Sequence, residues 1–274
     1  MRRPALLASL VLAAVTTAAT AQDAVLLRVG GAPGSSNRYS SLMETFIRGG
    51  PMASMMSSDT TLPMMRITTV TTRTLTGTSG DTLTFAEVID SVAMESPAMP
   101  QMAAMAGAAI MNMRGQTTTT HMDARGRIYQ IEVNNPNADM GAGRGGRMAG
   151  MGGGGQRTMF NLPVQPVRVG DTWNDSMNVA ASSPTDPATN LVASYKLERI
   201  DNRGGLNVAV VSINGSLAQV NPQGGQSRFA VTGQFQLDLS NRRLAAINMT
   251  MVGVVSSQMG DMPMRMQVTQ SLMP

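Results

Sequence analysis

One stretch near the end of the chain constrains the fold more than any other. From Phe229 to Leu239, apolar side chains occupy every second position, and mostly polar side chains lie between them. A period of two places successive side chains on opposite faces of an extended chain, so this stretch predicts a β-strand with one dry face. Ser240 to Arg243 interrupts the pattern, and a second alternating run continues to Met251. The two runs therefore predict an antiparallel hairpin.

The same alternation recurs along the chain and predicts a mainly β protein. Further hairpins are predicted over residues 66–92 and 191–213, where threonine, valine and other strand-forming residues flank glycine turns. Residues 39–47 fit helical spacing as well as alternation, but the Gly-Gly-Pro sequence that ends the run favours a strand. Additional strands are predicted at residues 25–29, 116–122, 128–133 and 264–272.

Two blocks of the chain share a pattern that indicates duplication. A hairpin turned on Gly80 matches one turned on Gly204 and Gly205, and Met122–Arg127 resembles Leu237–Arg242. The predicted fold is therefore a duplicated antiparallel curved sheet or half barrel. The expected blocks are residues 22–136 and 159–274, joined in one continuous sheet. A flexible glycine-rich loop over residues 137–158 separates them.

The matching turns carry two more specific predictions. Asp123 and Asp238 stand at equivalent positions, and aspartate in a turn typically accepts backbone hydrogen bonds. Gly126 and Asn241 stand at the position that we expect to adopt a positive φ, which these two residue types tolerate best.

One short helix is predicted near residues 97–113. Met102, Met105, Ala109 and Met113 are spaced like one face of a helix. The run is too short to span a membrane and too apolar to be left in water. We therefore expect this helix to cover part of the apolar face of the sheet.

The N-terminus has the form of a secretory signal peptide. Arg2 and Arg3 precede an apolar run from Ala5 to Val15, and Ala19–Ala21 forms a small-x-small cleavage site. Cleavage near Ala21 would leave no transmembrane span in the mature chain and would place it in the periplasm or outside the cell. The chain has no cysteine, so a lipid anchor on cysteine is excluded.

Composition argues against a nucleic-acid partner. Without Arg2 and Arg3 the chain carries 19 basic and 17 acidic side chains. A charge balance this close to neutral lacks the basic footprint of a nucleic-acid-binding surface. Only 3% of the residues are aromatic, which is too few for a base-stacking platform.

Several short motifs resemble a family of exported bacterial proteins defined only as a domain of unknown function. They are the threonine-rich hairpin, the Asp123–Arg127 turn, Leu162-Pro163 with Val169–Trp173, and the strand led by Tyr195. In shape, such chains are similar to the periplasmic lipoprotein carriers of the LolA type. The resemblance implies a curved antiparallel sheet that holds acyl chains under helical lids, and it implies no catalytic residue.

The motifs that could carry catalysis are weak. His121 is the sole histidine, and no Gly-x-Ser-x-Gly elbow accompanies it, so a strand residue without a chemical role is the better interpretation. Gly141–Gly146 matches a nucleotide-binding glycine pattern but lies in a low-complexity run with no helix after it. Trp173 follows a tight turn and is expected to anchor a strand start rather than to stack on a ligand. We predict a protein that is not an enzyme and needs no cofactor.

Methionine is the one compositional anomaly, with 26 residues. Methionine fills irregular apolar gaps and forms adaptable surfaces, which suits binding of a lipid, an acyl chain or an envelope protein. The ligand-binding residues predicted on this basis are Met102, Met105, Met113, Phe235 and Leu237. Thioethers also bind Cu(I) and Ag(I), so the alternative is a soft-metal binding protein. Its predicted ligands are Met52, Met55, Met56, Met64 and Met65.

Overall fold

A computed structural model describes residues 23–50, 59, 61–101, 110, 112–134, 160–179, 188–203, 205–220, 226–257 and 260–274. Within these ranges the chain forms a single antiparallel sheet of 11 strands, which is curved and not closed. The strands are β1 (Ser36–Ile47), β2 (Met65–Ser79), β3 (Thr82–Glu95), β4 (Thr117–Asp123), β5 (Ile128–Asn134), β6 (Thr172–Val179), β7 (Ala188–Arg203), β8 (Leu206–Val220), β9 (Gln226–Asp238), β10 (Arg243–Ser257) and β11 (Gly260–Leu272). The mainly β fold class is confirmed.

The chain crosses the sheet in two passes. The strand order is β5-β4-β3-β2-β1-β11-β10-β9-β8-β7-β6, so β1 to β5 run from the centre to one edge. Residues 135–171 then connect that edge to the opposite one, and β6 to β11 return to the centre. There β1 and β11 pair antiparallel, with Tyr39 opposite Leu272 and Ile47 opposite Met264. The two predicted blocks are thus joined by the first and last strands.

The inner face of the sheet carries the main hydrophobic core. Phe229, Val231, Phe235 and Leu237 of β9 are all buried, as the alternation predicts, and Leu239 packs against the same core. A bulge between Leu244 and Ala246 shifts the register of β10. The shift buries Leu244, whereas Ala245, which is in phase with Ile247 and Met249 in the sequence, is only half-buried.

Glycines allow neighbouring strands to approach closely on the inner face of the second block. A Cβ on Gly215, Gly233 or Gly253 would overlap a backbone carbonyl oxygen of the adjacent strand. These three positions lie on β8, β9 and β10, offset along successive strands. Glycine kinks of this kind increase the curvature of a sheet.

Two irregular segments close one end of the sheet. Val25 and Val167 form a bridge, and the Arg28 guanidinium donates to the Pro163 and Val164 carbonyls, so residues 25–28 run beside residues 163–167. The Val29 N–H donates to Ala124 in the β4–β5 turn, and the Gly30 N–H donates to Arg242 in the β9–β10 turn. Buried apolar side chains of these segments enter the main core: Leu27, Val29, Phe160, Leu162 and Val167. The predicted opening strand at residues 25–29 is therefore a bridge rather than a strand.

The two turns that contain Asp123 and Asp238 share a pattern of backbone hydrogen bonds but differ in backbone conformation. Asp123 accepts the backbone N–H groups of Arg125 and Arg127 at 2.9 Å, and Asp238 accepts those of Ser240 and Asn241 at 3.0 and 3.1 Å. The prediction that both aspartates accept backbone hydrogen bonds is confirmed.

The conformations of these turns are not equivalent. Gly126 has a φ of 90°, but the second turn places its positive φ of 52° at Arg242. The prediction for Asn241 is therefore wrong by one residue. Because the two loops close differently, the turn pattern gives duplication no support.

Much of the predicted covering helix lies outside the described residues. Among the described residues between 97 and 111, Pro100, Gln101 and Ile110 are in helical conformation. Its last residue, Met113, packs in a second, smaller cluster with Ile67, Ile89 and Val92. The predicted signal peptide and the predicted glycine-rich loop also lie outside those residues. Nowhere in the described ranges does a helix reach the length and hydropathy needed to span a bilayer.

Candidate functional sites

The predicted ligand-binding residues occupy two separate apolar clusters. Phe235 and Leu237 are fully buried in the main core, whereas Met113 belongs to the second cluster. Met102 and Met105 lie outside the described residues. The structure therefore does not bring the described members of this set to one surface.

The predicted soft-metal ligands are separated in a different way. Met52, Met55 and Met56 lie outside the described residues, and Met64 packs in the main core. Met65 on β2 pairs with Thr45 on β1, which pairs with Met266 on β11, which pairs with Met251 on β10. The sheet thus places three methionines from distant parts of the sequence in one inner-face row.

Four aromatic rings form a connected array that runs from the β6 edge to β9 in the core. Trp173 stacks on Tyr195 at a centroid distance of 5.5 Å, and its Nε1–H donates to the Asn161 carbonyl at 2.9 Å. Tyr195 meets Phe235 edge to face at 6.4 Å, and Phe235 stacks on Phe160 at 4.5 Å. The prediction that Trp173 anchors a strand start in the core is confirmed, because β6 begins one residue before it.

Burial raises the pKa of the one tyrosine in this array. The Tyr195 hydroxyl is desolvated, which raises its pKa to about 12, although a hydrogen bond with the Asn161 backbone opposes the shift. Asn161 also donates from Nδ2 to Asp175 at 2.6 Å, and Arg125 reaches the same carboxylate at 3.0 Å. The array is therefore tied to the β4–β5 turn by polar contacts.

His121 lies in a line of three polar side chains across β3, β4 and β5. Its Nδ1 is 3.2 Å from the Thr84 hydroxyl, and its Nε2 is 4.0 Å from Glu132 Oε1. A separation of 4.0 Å is beyond hydrogen-bond range, and the Glu132 side chain is 59% exposed. Glu132 therefore does not orient the imidazole as the acid of a catalytic triad does.

The β5 strand presents an exposed edge. In the described part of the chain it pairs with β4 alone, and five of its seven residues are exposed. Tyr129 and Val133 are exposed large apolar residues, at 56% and 42%. The opposite edge, β6, differs because Trp173 and Asp175 attach it to residues 160–163.

A narrow cleft opens at the end of the sheet closed by the two irregular segments. Its walls come from β1, β2, β3, β4, β10 and the β9–β10 turn, and it leaves a space of about 20 Å³. Three arginines and no acidic residue line it. The other lining residues are Val29, Gly30, Asn37, Tyr39, Phe85, Met122, Phe160 and Leu244. The cleft is therefore small and basic.

The three arginines of the cleft are Arg73, Arg242 and Arg243, and they differ in how they are held. Arg243 donates to Asp238 at 3.1 Å and to Asn37 at 2.8 Å. The Arg73 guanidinium lies 4.2 Å from the centroid of the Phe85 ring, and Nη2 is 3.5 Å from the Met122 sulfur. In the described ranges no carboxylate lies within ion-pair distance of Arg73 or Arg242.

Burial affects the pKa values of the ionisable residues in and near the cleft. Desolvation raises the pKa of the Tyr39 hydroxyl, although Arg73 and Arg243 oppose the shift. Desolvation also raises the pKa of Glu87, which stands opposite Arg73 in the β2–β3 pairing. Burial disfavours ionisation of Asp238, but hydrogen bonds from Asn241 and Arg243 outweigh that cost and hold its pKa below the ordinary value.

The fold and these surfaces define an all-antiparallel β-sheet protein. No protein-family model matches the chain, and no curated protein matches it. Among solved structures it is similar to a hypothetical lipoprotein, YmcC, from Escherichia coli K12, at 11% identity. The match covers 83% of this chain and 85% of that one with a TM-score of 0.23, which carries no argument about function. The likeness to the lipoprotein carriers stays a prediction.

Sequence reasoning missed the cleft because its residues come from strands far apart in the chain. One local signal was present: of two successive arginines at the β9–β10 connection, Arg242 ends the turn, where glycine or asparagine is the usual choice, and Arg243 begins β10. Alternation also places Arg73 on the same face as the buried Leu75 and Thr71. An arginine on a core-facing position is the kind of departure from pattern that marks a candidate site.

Proposed function

We propose that this chain is an exported, non-enzymatic binding protein of the cell envelope that pairs a strand of a partner protein with the edge of β5. The observation that supports this proposal is the exposed edge itself. An edge strand offers unpaired backbone N–H and C=O groups to any extended chain that lies beside it. Tyr129 and Val133 add apolar side chains to the same strand.

The export part of the proposal is supported by the N-terminal sequence, with its Arg2-Arg3 pair, apolar run and small-x-small site. A covering helix, duplication and a lipid cargo remain predictions from sequence. A protein partner is favoured over a lipid because the described predicted ligand residues, Met113, Phe235 and Leu237, are packed inside two apolar clusters.

Photo-crosslinking in cells tests the partner. A photoreactive amino acid at position 129 or 133 is expected to give an adduct with another protein, identified by mass spectrometry. The same amino acid at position 192 is a matched control, since Val192 is also exposed, at 52%, but lies on β7. Equal yields at all three positions, an adduct of lipid mass, or an adduct only within the chain would contradict the proposal.

Soft-metal binding is a second candidate, and the row of Met65, Met266 and Met251 favours it. Native mass spectrometry of the purified protein with Cu(I) under reducing conditions would show the adduct. Met251→Leu and Met266→Leu, which conserve volume, are expected to abolish it. Met177→Leu is the control because Met177 is buried on β6, away from the row. An adduct that survives both substitutions would exclude this row as the site.

A further inference from the structure

The cleft at the closed end of the sheet combines positive charge with hydrogen-bond donors that the described protein groups do not occupy. A guanidinium has five N–H donors, and its planar fork matches the oxygens of a phosphate or carboxylate. The polar contact that the structure records for Arg73 within the described residues is a long one to a thioether. Its position over Phe85 fixes the plane of the group without using its N–H donors.

The second arginine is held in an uncommon backbone conformation. Arg242 has a φ of 52°, and no other non-glycine residue in the described ranges has a positive φ. Such conformations are strained for a residue with a Cβ, and they concentrate at ligand-binding sites. The Arg242 carbonyl accepts the Gly30 N–H at 2.8 Å, and the side chain packs across Gly30 at the cleft. The β9–β10 turn and the segment that contains Gly30 therefore hold Arg242 at the opening of the cleft.

The third arginine, Arg243, is oriented by other protein groups. Its guanidinium donates to Asp238 and Asn37, so its charge is partly balanced. Arg73 and Arg242 therefore supply the excess positive charge of the lining. Glu87 stands opposite Arg73 in the sheet and interacts with it electrostatically, but it does not line the cleft, and burial raises its pKa in spite of Arg73.

The size of the space limits what can enter it. About 20 Å³ is room for little more than one water molecule, far less than a pocket for a whole small molecule. An anionic group attached to a larger molecule can insert its oxygens from the open side while the rest stays outside. A phosphate group suits this geometry better than a carboxylate, because it offers three oxygens to arginines that approach from different strands.

We propose that this cleft binds the phosphate group of a larger ligand, with Arg73 and Arg242 as its principal donors and the Tyr39 hydroxyl at its wall. The inference is independent of the β5 edge, because no residue of β5 lines the cleft. The phosphate could belong to a soluble compound or to a lipid headgroup, and the chemistry of recognition is the same for both.

Binding to two probes at constant ionic strength distinguishes the sources. Inorganic phosphate, followed by titration calorimetry, represents the soluble ligand. Flotation with phosphatidylcholine vesicles with and without phosphatidic acid represents the headgroup. We expect Arg73→Gln to weaken binding to the responsive probe at least tenfold. Arg228→Gln is the matched control, because Arg228 is exposed on the outer face of β9 and carries the same charge.

Arg242→Gly separates binding from folding. Glycine adopts a positive φ without strain, so this variant is expected to be at least as stable as the parent chain while it binds the probe several-fold more weakly. A response to phosphate alone assigns a soluble ligand, and a response to phosphatidic acid alone assigns a headgroup. The proposal is overturned if neither probe binds, or if Arg73→Gln and Arg242→Gly bind as tightly as Arg228→Gln.

Discussion

At the scale of single residues, three glycines decide how closely the strands of the second block approach. Gly253 is the sharpest case, because an added Cβ would overlap the carbonyl oxygen of Arg228 on β9. Neither backbone can move without disturbing the buried Phe229 and Met264 that pair with Gly253. No alternation pattern identifies such a contact, because it depends on the distance between neighbouring strands.

Gly253→Ala is expected to lower the free energy of unfolding by about 1–3 kcal/mol, the usual cost of an overpacked site. Gly77→Ala is the control, since nothing lies within 4 Å of its Cβ position and no positive φ is required there. Gly77→Ala should change stability by less than about 0.5 kcal/mol. Urea denaturation measures both values, and equal effects would show that backbone crowding at Gly253 is not limiting.

Tyr195 provides a prediction in alkaline solution. Its folded-state pKa of about 12 lies above the ordinary value of about 10, because burial disfavours the phenolate. Above pH 10 the unfolded chain releases this proton while the folded chain keeps it. The tyrosine therefore stabilises the fold fully below pH 10 and loses that contribution as pH rises towards 12.

The expected loss for Tyr195 across this interval is about 2 kcal/mol. Urea denaturation at several pH values from 9 to 12 would measure it in the parent chain and in Tyr195→Phe. The variant keeps the ring and should show a smaller fall in stability over the same interval. If the two curves run parallel, the pKa of Tyr195 is the same in the folded and the unfolded chain.

At the scale of elements, the two edge strands of the sheet are held differently. On β6, the Trp173 indole stacks on Tyr195 and donates to the Asn161 carbonyl. On β5, Tyr129 is mostly exposed, and its hydroxyl makes a 3.2 Å hydrogen bond to Asp123. The first edge is attached to the core, whereas the second remains accessible to a partner.

This difference predicts unequal costs for comparable deletions. Trp173→Phe removes the Nε1–H donor and leaves the Asn161 carbonyl without it, which should cost about 1–3 kcal/mol. Tyr129→Phe removes an exposed hydroxyl and should cost less than about 0.5 kcal/mol. Circular dichroism during urea denaturation measures both values. A large effect of Tyr129→Phe would mean that β5 is anchored more firmly than its exposure indicates.

At the scale of the whole molecule, contacts near the closed end link the two blocks of the sheet. Arg125 of the β4–β5 turn reaches Asp175 of β6 at 3.0 Å, and its Nε donates to the Leu162 carbonyl at 2.8 Å. The side chains of Arg125 and Asp175 are 21% and 17% exposed, so water screens the pair only in part. The β4–β5 turn at one edge of the sheet is thereby connected to β6 at the other edge.

A double-mutant cycle with Arg125→Ala and Asp175→Ala tests this connection. We expect a coupling free energy of about 1–3 kcal/mol, because either single change leaves a half-buried charge without its partner. The Lys196–Glu198 pair is the control, as its side chains are 46% and 29% exposed. Its coupling should be clearly weaker, because water screens an exposed pair. Similar coupling in both pairs would argue that the contact at the closed end is an ordinary surface pair.

The strands, and the faces that they bury, could be predicted from alternation. In the predicted hairpin over residues 191–213, the alternating residues Ala193, Tyr195 and Leu197 of β7 are buried, and residues 39–47 lie in strand β1. These features follow from the two-residue period of an extended chain, which depends only on residues close together in the sequence. Departures arise where a bulge changes the period, as at Leu244, or where a turn closes differently, as at Arg242.

Local pattern by itself therefore determined that this chain forms antiparallel strands with defined inner faces. Only the tertiary structure decided that β1 pairs with β11, that β5 and β6 become the edges, and that Arg73 meets Arg242 in one cleft. Alternation states which face of a strand is apolar, but it does not state which strand lies beside it. That choice depends on long-range packing between residues far apart in the chain, and the candidate sites of this protein lie where such residues meet.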